Sequence, residues 1–366
     1  MRKRPWQGTR AAPVVGAVLL LGIVRPGAGP VVPRFDLAVD LETTAETSAN
    51  ANVGDLDGDG DLDIVLAKGR HWPLRNVVLL NDGKGGFSER HDLSDVADRS
   101  YTTALADLDG DGDLDLAVGN DRPDEKLVYF NDGTGRFVRA GAFGEATWST
   151  RNITVVDLNA DHRPDIVVAN RGGPQNRAAN YVCLNDGAGR FPACRVLSTD
   201  SATTIAAGDI DGDGMTDLVV PHRDGGQSYV FINDGHGGFP RRVAFGPSSS
   251  ATRAIALGDL DADGHVDIVI GDEPAGAAFI YFNRGDGRFS EPLRLGEKTD
   301  VAFSIATGDL NGDGTTDVLL GNAEQPGALA LNDGSGRHFT IARFGDGKGA
   351  VYGLALGDVN GDGSLD

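Results

Sequence analysis

Asp55-Leu56-Asp57-Gly58-Asp59-Gly60-Asp61-Leu62-Asp63 is the stretch whose reading decides the fold. Segments of this kind open at Asp55, Asp107, Asp157, Asp209, Asp259, Asp309 and Asp358, at intervals of 49 to 52 residues. A fixed period of that size marks an array of supersecondary units that bury their apolar faces against one another. A second signature, Asn-Asp-Gly-x-Gly-x-Phe, follows each of the first six acidic segments by 23 to 28 residues, as in Asn131–Phe137. Its other copies open at Asn81, Asn185, Asn233, Asn283 and Asn332; Arg284 replaces the Asp in one, and His338 is inserted before Phe339 in another. Asn, Asp and Gly accept positive φ cheaply, so this signature is a tight turn.

Short aliphatic runs separate the two signatures. Ile64–Ala67, Leu116–Val118, Ile166–Ala169, Leu218–Val220, Ile268–Ile270 and Val318–Leu320 follow the acidic segments. They are β-rich and too short for helices. Further runs precede each Asn turn (Leu127–Phe130, Phe279–Phe282) and each acidic segment (Ala254–Leu257). A fourth begins at the turn phenylalanine and ends near a Phe-Gly or Leu-Gly pair, such as Phe143-Gly144. Four strands per repeat is the arithmetic of a propeller blade. The expected fold is therefore all-β, a seven-bladed β-propeller of four-stranded blades, over residues 35–366. Three positions before each opening Asp the residues are nearly all small (Ala104, Thr154, Ala206, Ala256, Ala306, Ala355), as crowding at an axis requires. One position earlier the residues are mainly Ile or Leu (Ile153, Ile205, Ile255, Ile305 and Leu354, with Ala51 and Thr103 as exceptions), expected to fill the space between blades. Arg34–Leu41 reads as a blade's fourth strand without its first three, and the chain stops at Asp366, the last position of the seventh loop. This reading expects a truncated product, or a partner that completes the last blade.

Oxygen ligands sit at loop positions 1, 3, 5 and 9. They are Asp55, Asp57, Asp59 and Asp63; Asp107, Asp109, Asp111 and Asp115; Asp157, Asn159, Asp161 and Asp165; Asp209, Asp211, Asp213 and Asp217. The remaining loops supply Asp259, Asp261, Asp263 and Asp267; Asp309, Asn311, Asp313 and Asp317; Asp358, Asn360, Asp362 and Asp366. Like charges so close repel unless a cation sits among them, and an all-oxygen set suits Ca²⁺, up to about seven ions here. Gly60 and its counterparts at position 6 allow the sharp turn, whereas Ala160 and His162 replace glycines in the third loop, where a weaker site is expected. Asn at position 3 removes a charge and should soften affinity. An EF-hand would need Glu at position 12, but Leu66, Val118, Val168, Val220, Ile270 and Leu320 stand there. No Cys or His joins the pattern, which argues against a transition metal.

The 366 residues carry 54 acidic and 33 basic side chains, a net charge of −21, which repels nucleic acid and anionic membranes. Arg2, Lys3, Arg4 and Arg10 precede the apolar run Ala11–Val24, and small residues follow at Gly27–Gly29. That order reads as a signal peptide over residues 1–29, leaving a secreted protein with no membrane insertion after its removal. The only cysteines, Cys183 and Cys194, flank the Asn185 turn, where a disulfide is expected in an exported protein.

At the propeller end opposite the acidic loops, the loops carry Arg70-His71-Trp72, Asn120–Arg122, Asn170-Arg171, His222–Asp224, Asp272-Glu273 and Asn322. Six residues before each opening Asp lies a ring near the axis: Ala49, Tyr101, Arg151, Thr203, Arg253, Phe303 and Tyr352. Of these, Tyr101, Arg151, Arg253, Phe303 and Tyr352 are candidate ligand-binding residues, for a glycan or an acidic side chain of an extracellular protein. Filling of the channel is the structural alternative. There is no Gly-x-Ser-x-Gly elbow, phosphate loop or His-Glu-x-x-His motif, so a binding or adhesion module is the first reading. An extracellular polysaccharide lyase or hydrolase on the same scaffold is the second.

The Phe-Gly pairs, the D-x-[DN]-x-D-G-x-x-D loops and the Asn-Asp-Gly turns together resemble the FG-GAP/VCBS repeat family, which includes the propeller of integrin α chains. The resemblance spans about residues 35–366. It implies a seven-bladed propeller with calcium held in loops on one face and ligands bound on the other. Carried over, the calcium ligands are the Asp and Asn residues named above. Every repeat here keeps ligands, unlike integrin chains, and nothing matches an integrin stalk or membrane span.

Overall fold

A computed structural model describes residues 18–23, 32–44, 46–172, 178–297 and 300–366. Within it, six antiparallel four-stranded sheets follow one another in chain order, each strand pairing with its neighbours in sequence. In the first blade the strands are Ser48–Gly54, Asp63–Lys68, Val77–Leu80 and Glu89–Asp92. Burial grades outward along each blade. The innermost strand is half-buried, the second is fully buried, and the fourth is largely exposed. The second strand is covered on both faces, which is why it reads as an unbroken aliphatic run rather than an alternation.

The protein is an all-β propeller, with six four-stranded blades rather than the expected seven. Counting acidic loops counts the hairpins that open a repeat, and the seventh repeat contributes its loop without strands: residues 350–366 contain none. That segment nonetheless occupies a place in the ring. Val351 N donates to Asn322 O at 3.1 Å, and Ser304 Oγ donates to Val351 O at 2.8 Å. On its other side, Asn81 Nδ2 donates to Val359 O at 2.7 Å. Leu354, Leu356 and Leu365 cover the sixth blade's Leu310, Leu319, Leu329 and Leu331.

The apolar core lies between blades. One cluster joins Leu108, Val128 and Phe143 of the second blade to Ile153, Ile166 and Val168 of the third. Ile205 completes the same packing between the third and fourth. Residues 1–29, read as a signal peptide, lie outside the described residues except for Val18–Ile23. The backbone of that strand pairs with Arg34–Asp40, so the segment read as a blade's fourth strand forms a separate two-stranded sheet.

Cys183 and Cys194 stand directly opposite each other on the third and fourth strands of the third blade, and their sulfurs are bonded. With 11 residues of separation, the link should stabilise the protein by about 2–3 kcal/mol through the unfolded chain. Cys194→Ser is expected to lower the urea midpoint accordingly. A midpoint equal to that of the parent under oxidising conditions would show that the link contributes nothing.

Candidate metal centres and axial cavity

Each acidic loop is organised first by its own backbone. In the first loop, Gly58 N and Gly60 N donate to the two carboxylate oxygens of Asp55, at 2.8 and 3.1 Å. Gly60 has φ 95°, a conformation that turns these amides inward. Ala160 and His162 adopt the same left-handed conformation, at φ 58° and 63°, so the third loop keeps the turn despite lacking both glycines.

Position 9 has a role the sequence did not disclose. Asp63 accepts hydrogen bonds from Leu56 N and from Asn81 N, both at 2.8 Å, so one buried carboxylate clamps the acidic loop to the Asn turn. Asp115, Asp165, Asp217, Asp267 and Asp317 repeat the clamp. Burial pushes all six carboxyls up to about 6, although the backbone donors pull the other way.

The turn asparagines also do more than shape their turns. Asn131 Nδ2 donates to Leu56 O of the preceding blade at 2.8 Å, and Asn185, Asn233, Asn283 and Asn332 make the equivalent bond at 2.6–2.8 Å. The first five acidic loops are therefore tied to the next blade through the carbonyl at position 2, and the seventh is tied in the same way to Asn81 of the first blade. The available signal was that Asn persists where its neighbour changes to Arg284.

Four loops bring three carboxylates within 4.8 Å of one another: Asp55/Asp57/Asp63, Asp107/Asp109/Asp115, Asp209/Asp211/Asp217 and Asp259/Asp261/Asp263. These clusters could hold metal ions. Burial, and next the neighbouring Asp59, Asp111 and Asp263, raise the carboxyls of Asp57, Asp109 and Asp261. Asp211 Oδ1 and Asp261 Oδ1 are buried without a hydrogen-bond partner, an arrangement that a bound ion or water satisfies, while Arg241 and Arg337 pair with the other oxygen of each carboxylate. The donor set therefore fits a hard cation. Where position 3 is Asn the repulsion is relieved internally: Asn159 Nδ2 donates to Asp161 at 3.1 Å and Asn311 Nδ2 to Asp313 at 2.9 Å.

At the opposite end, one cavity of about 150 Å³ is lined by all seven ring positions, Ala49, Tyr101, Arg151, Thr203, Arg253, Phe303 and Tyr352, together with Arg70, His71 and Arg171. The candidate ligand residues thus share one wall. The Tyr101 hydroxyl lies 3.0 Å from His71 Nε2. Burial, then Arg70 and Arg151, push the His71 imidazole down, so it is neutral at pH 7. Arg151 pairs with Asp121 at 2.8 Å, Arg171 with Asp224 at 2.9 Å, and Arg253 with Glu273 at 3.0 Å. Burial opposes ionisation of Glu273, but Arg253 and Arg223 outweigh it and hold the carboxyl below its usual range.

A ring of four-stranded blades with repeated acidic loops on one face and an axial cavity on the other defines a repeat propeller. Models of the FG-GAP-like repeat match residues 55–118, 107–168, 157–220, 209–270, 259–320 and 309–366, and the chain belongs to that family. No curated protein matches it. Among solved structures it is similar to an Agrocybe aegerita lectin described as recognising non-reducing terminal N-acetylglucosamine. There the TM-score is 0.57 and the identity 20%, over 81% of this chain and 80% of the lectin. It is likewise similar to BBS1N, solved in complex with ARL6DN, with TM-score 0.58 and 15% identity over 88% of this chain and 89% of that one. At these identities the likeness is one of fold.

Proposed function

We propose that this chain is a secreted, calcium-loaded propeller that acts as a binding or adhesion module, with the axial cavity as its ligand site. The observation that carries the reading is the convergence of seven separate repeats on one cavity lined by guanidinium and aromatic groups. Calcium would be held by the Asp and Asn side chains at loop positions 1, 3 and 5, with position 9 completing the set from below. The ions would neutralise the acidic face and brace the hairpins that present the opposite one. A glycan or an extracellular protein is the ligand; of the two similar propellers, one is described as recognising a sugar and the other is solved bound to a protein. The disulfide suits an oxidising compartment, and the basic-then-apolar leader suits export.

Calcium-loaded protein is expected to be retained on a subset of a glycan array or of immobilised extracellular proteins. Retention should fall at least about tenfold in Arg253→Ala, which removes a charge-assisted donor from the cavity. Retention no stronger for the parent than for that variant would defeat the reading.

A further inference from the structure

We infer that the axial cavity takes an acidic sugar, a single uronate residue bound through its carboxylate, rather than a neutral one. This deepens the binding-module reading and rests on it. Each aromatic ring at the mouth already has a guanidinium over one face. The Arg70 guanidinium lies 3.4 Å from the Tyr352 ring centre, Arg151 lies 4.2 Å from that of Tyr101, and Arg253 lies 4.0 Å from that of Phe303. The rings act as supports that hold cations in place, and four guanidinium groups, Arg70, Arg151, Arg171 and Arg253, line the cavity.

The charges do not balance there. No acidic side chain lines the cavity. Arg151, Arg171 and Arg253 have carboxylates behind them, but Glu273 is shared with Arg223. Among the described residues Arg70 has no carboxylate partner. Arg253 Nε is buried with no hydrogen-bond acceptor. In a chain of net charge −21 this local excess of cations calls for an anion. The backbone has been bent to create it. Arg70 sits at φ 52°, and its N–H is fixed to Ser100 O at 3.0 Å. At the preceding Gly69, a Cβ would fall 2.1 Å from Trp72 O. A non-glycine residue in the left-handed region costs of order 1 kcal/mol, and such strain concentrates at binding sites.

The size and the remaining chemistry favour a sugar over a peptide. The cavity, at about 150 Å³, has room for one compact unit. Beside the cations stand the Thr203 hydroxyl, which donates weakly to Thr252 O and Arg253 O, and the mutually bonded Tyr101 hydroxyl and neutral His71 imidazole, whose remaining hydrogen-bonding capacity suits ring hydroxyls.

The test is calorimetric titration of the calcium-loaded full chain with glucuronate and galacturonate, against glucose, N-acetylglucosamine and a short Asp/Glu peptide. Binding of a uronate at least tenfold tighter than of either neutral sugar is expected, weakening with added salt. Arg70→Asn, which keeps a residue tolerant of φ 52° and leaves no carboxylate orphaned, should lose at least tenfold with an unchanged melting temperature. Arg70→Lys should recover part of the loss. Equal binding of neutral sugars, or an unchanged affinity in Arg70→Asn, would overturn the inference and leave the module reading standing. Binding of the acidic peptide alone would overturn the choice of a sugar. If nothing binds to the chain or is retained on the arrays, both readings fall.

Discussion

In excess EGTA the protein is expected to melt about 10 °C or more below its melting temperature in millimolar calcium. Four loops each hold three carboxylates within 4.8 Å, and without a cation that proximity is a standing repulsion. An ion bound at a hundred times its Kd adds about 2.7 kcal/mol per site, because the unfolded chain offers no preformed cage. The gain is not confined to one hairpin. Each of the four loops that gather three carboxylates is clamped to its own Asn turn by the position-9 carboxylate and to the next blade through the position-2 carbonyl, so a loosened loop weakens two blades. The loops containing Asn159 and Asn311 should lose less, since their amides already quieten the neighbouring charge. An identical melting curve in EGTA, with no alkaline-earth metal found by elemental analysis, would remove the calcium reading.

The metal-free protein should also respond to pH in an unusual direction. Six buried Asp carboxyls titrate near 6 in the folded protein, against 3.8 for an ordinary Asp. Between those values the folded state holds protons the unfolded chain has released, so stability falls as pH rises from about 4 to about 6. Calcium competes for the same oxygens only once the protons leave. The rise in melting temperature on adding calcium should therefore be larger at pH 7 than at pH 4.5.

Much of this was legible in the sequence because it is repeated. The period, the four strands and the ring six residues before each opening Asp all follow from superimposing copies, and the ring proved to share one cavity. What was not legible depends on contacts between copies. An Asn in a turn signature is explained locally by its tolerance of positive φ, so its bond to a carbonyl 72–77 residues earlier in the described links leaves no separate trace. Position 9 looked like one more ligand because its role as a clamp uses the same carboxylate. The blade count failed for a related reason: an acidic loop announces that a repeat begins and says nothing of whether its strands follow. Arg70 was visible as a loop residue, but its lack of a carboxylate partner could be seen only once the loops converged.

Lys68→Met should destabilise the protein by about 3–5 kcal/mol, and the double variant Lys68→Met/Glu42→Leu should recover most of that loss. Both side chains are fully buried, and Lys68 Nζ lies 2.5 and 2.6 Å from the two carboxylate oxygens of Glu42. Ser48 Oγ donates to Glu42 at 2.9 Å. The pair joins the second strand of the first blade to the segment that leads into it, and no repeat motif announces it because it occurs in one blade alone. Removing the ammonium strands a carboxylate in the interior with Ser48 and a distant Arg90, 3.5 Å away, as its remaining support. Removing both charges exchanges a desolvated pair for apolar packing, which is often neutral or better. The asymmetry between single and double variants separates a buried ion pair from simple loss of volume, since the double variant changes more side-chain shape and yet should be the more stable. Equilibrium urea unfolding at pH 7 in saturating calcium measures it. A single variant within about 1 kcal/mol of the parent, or a double variant no better than the single, would mean that the pair does not hold the first blade to its leading segment.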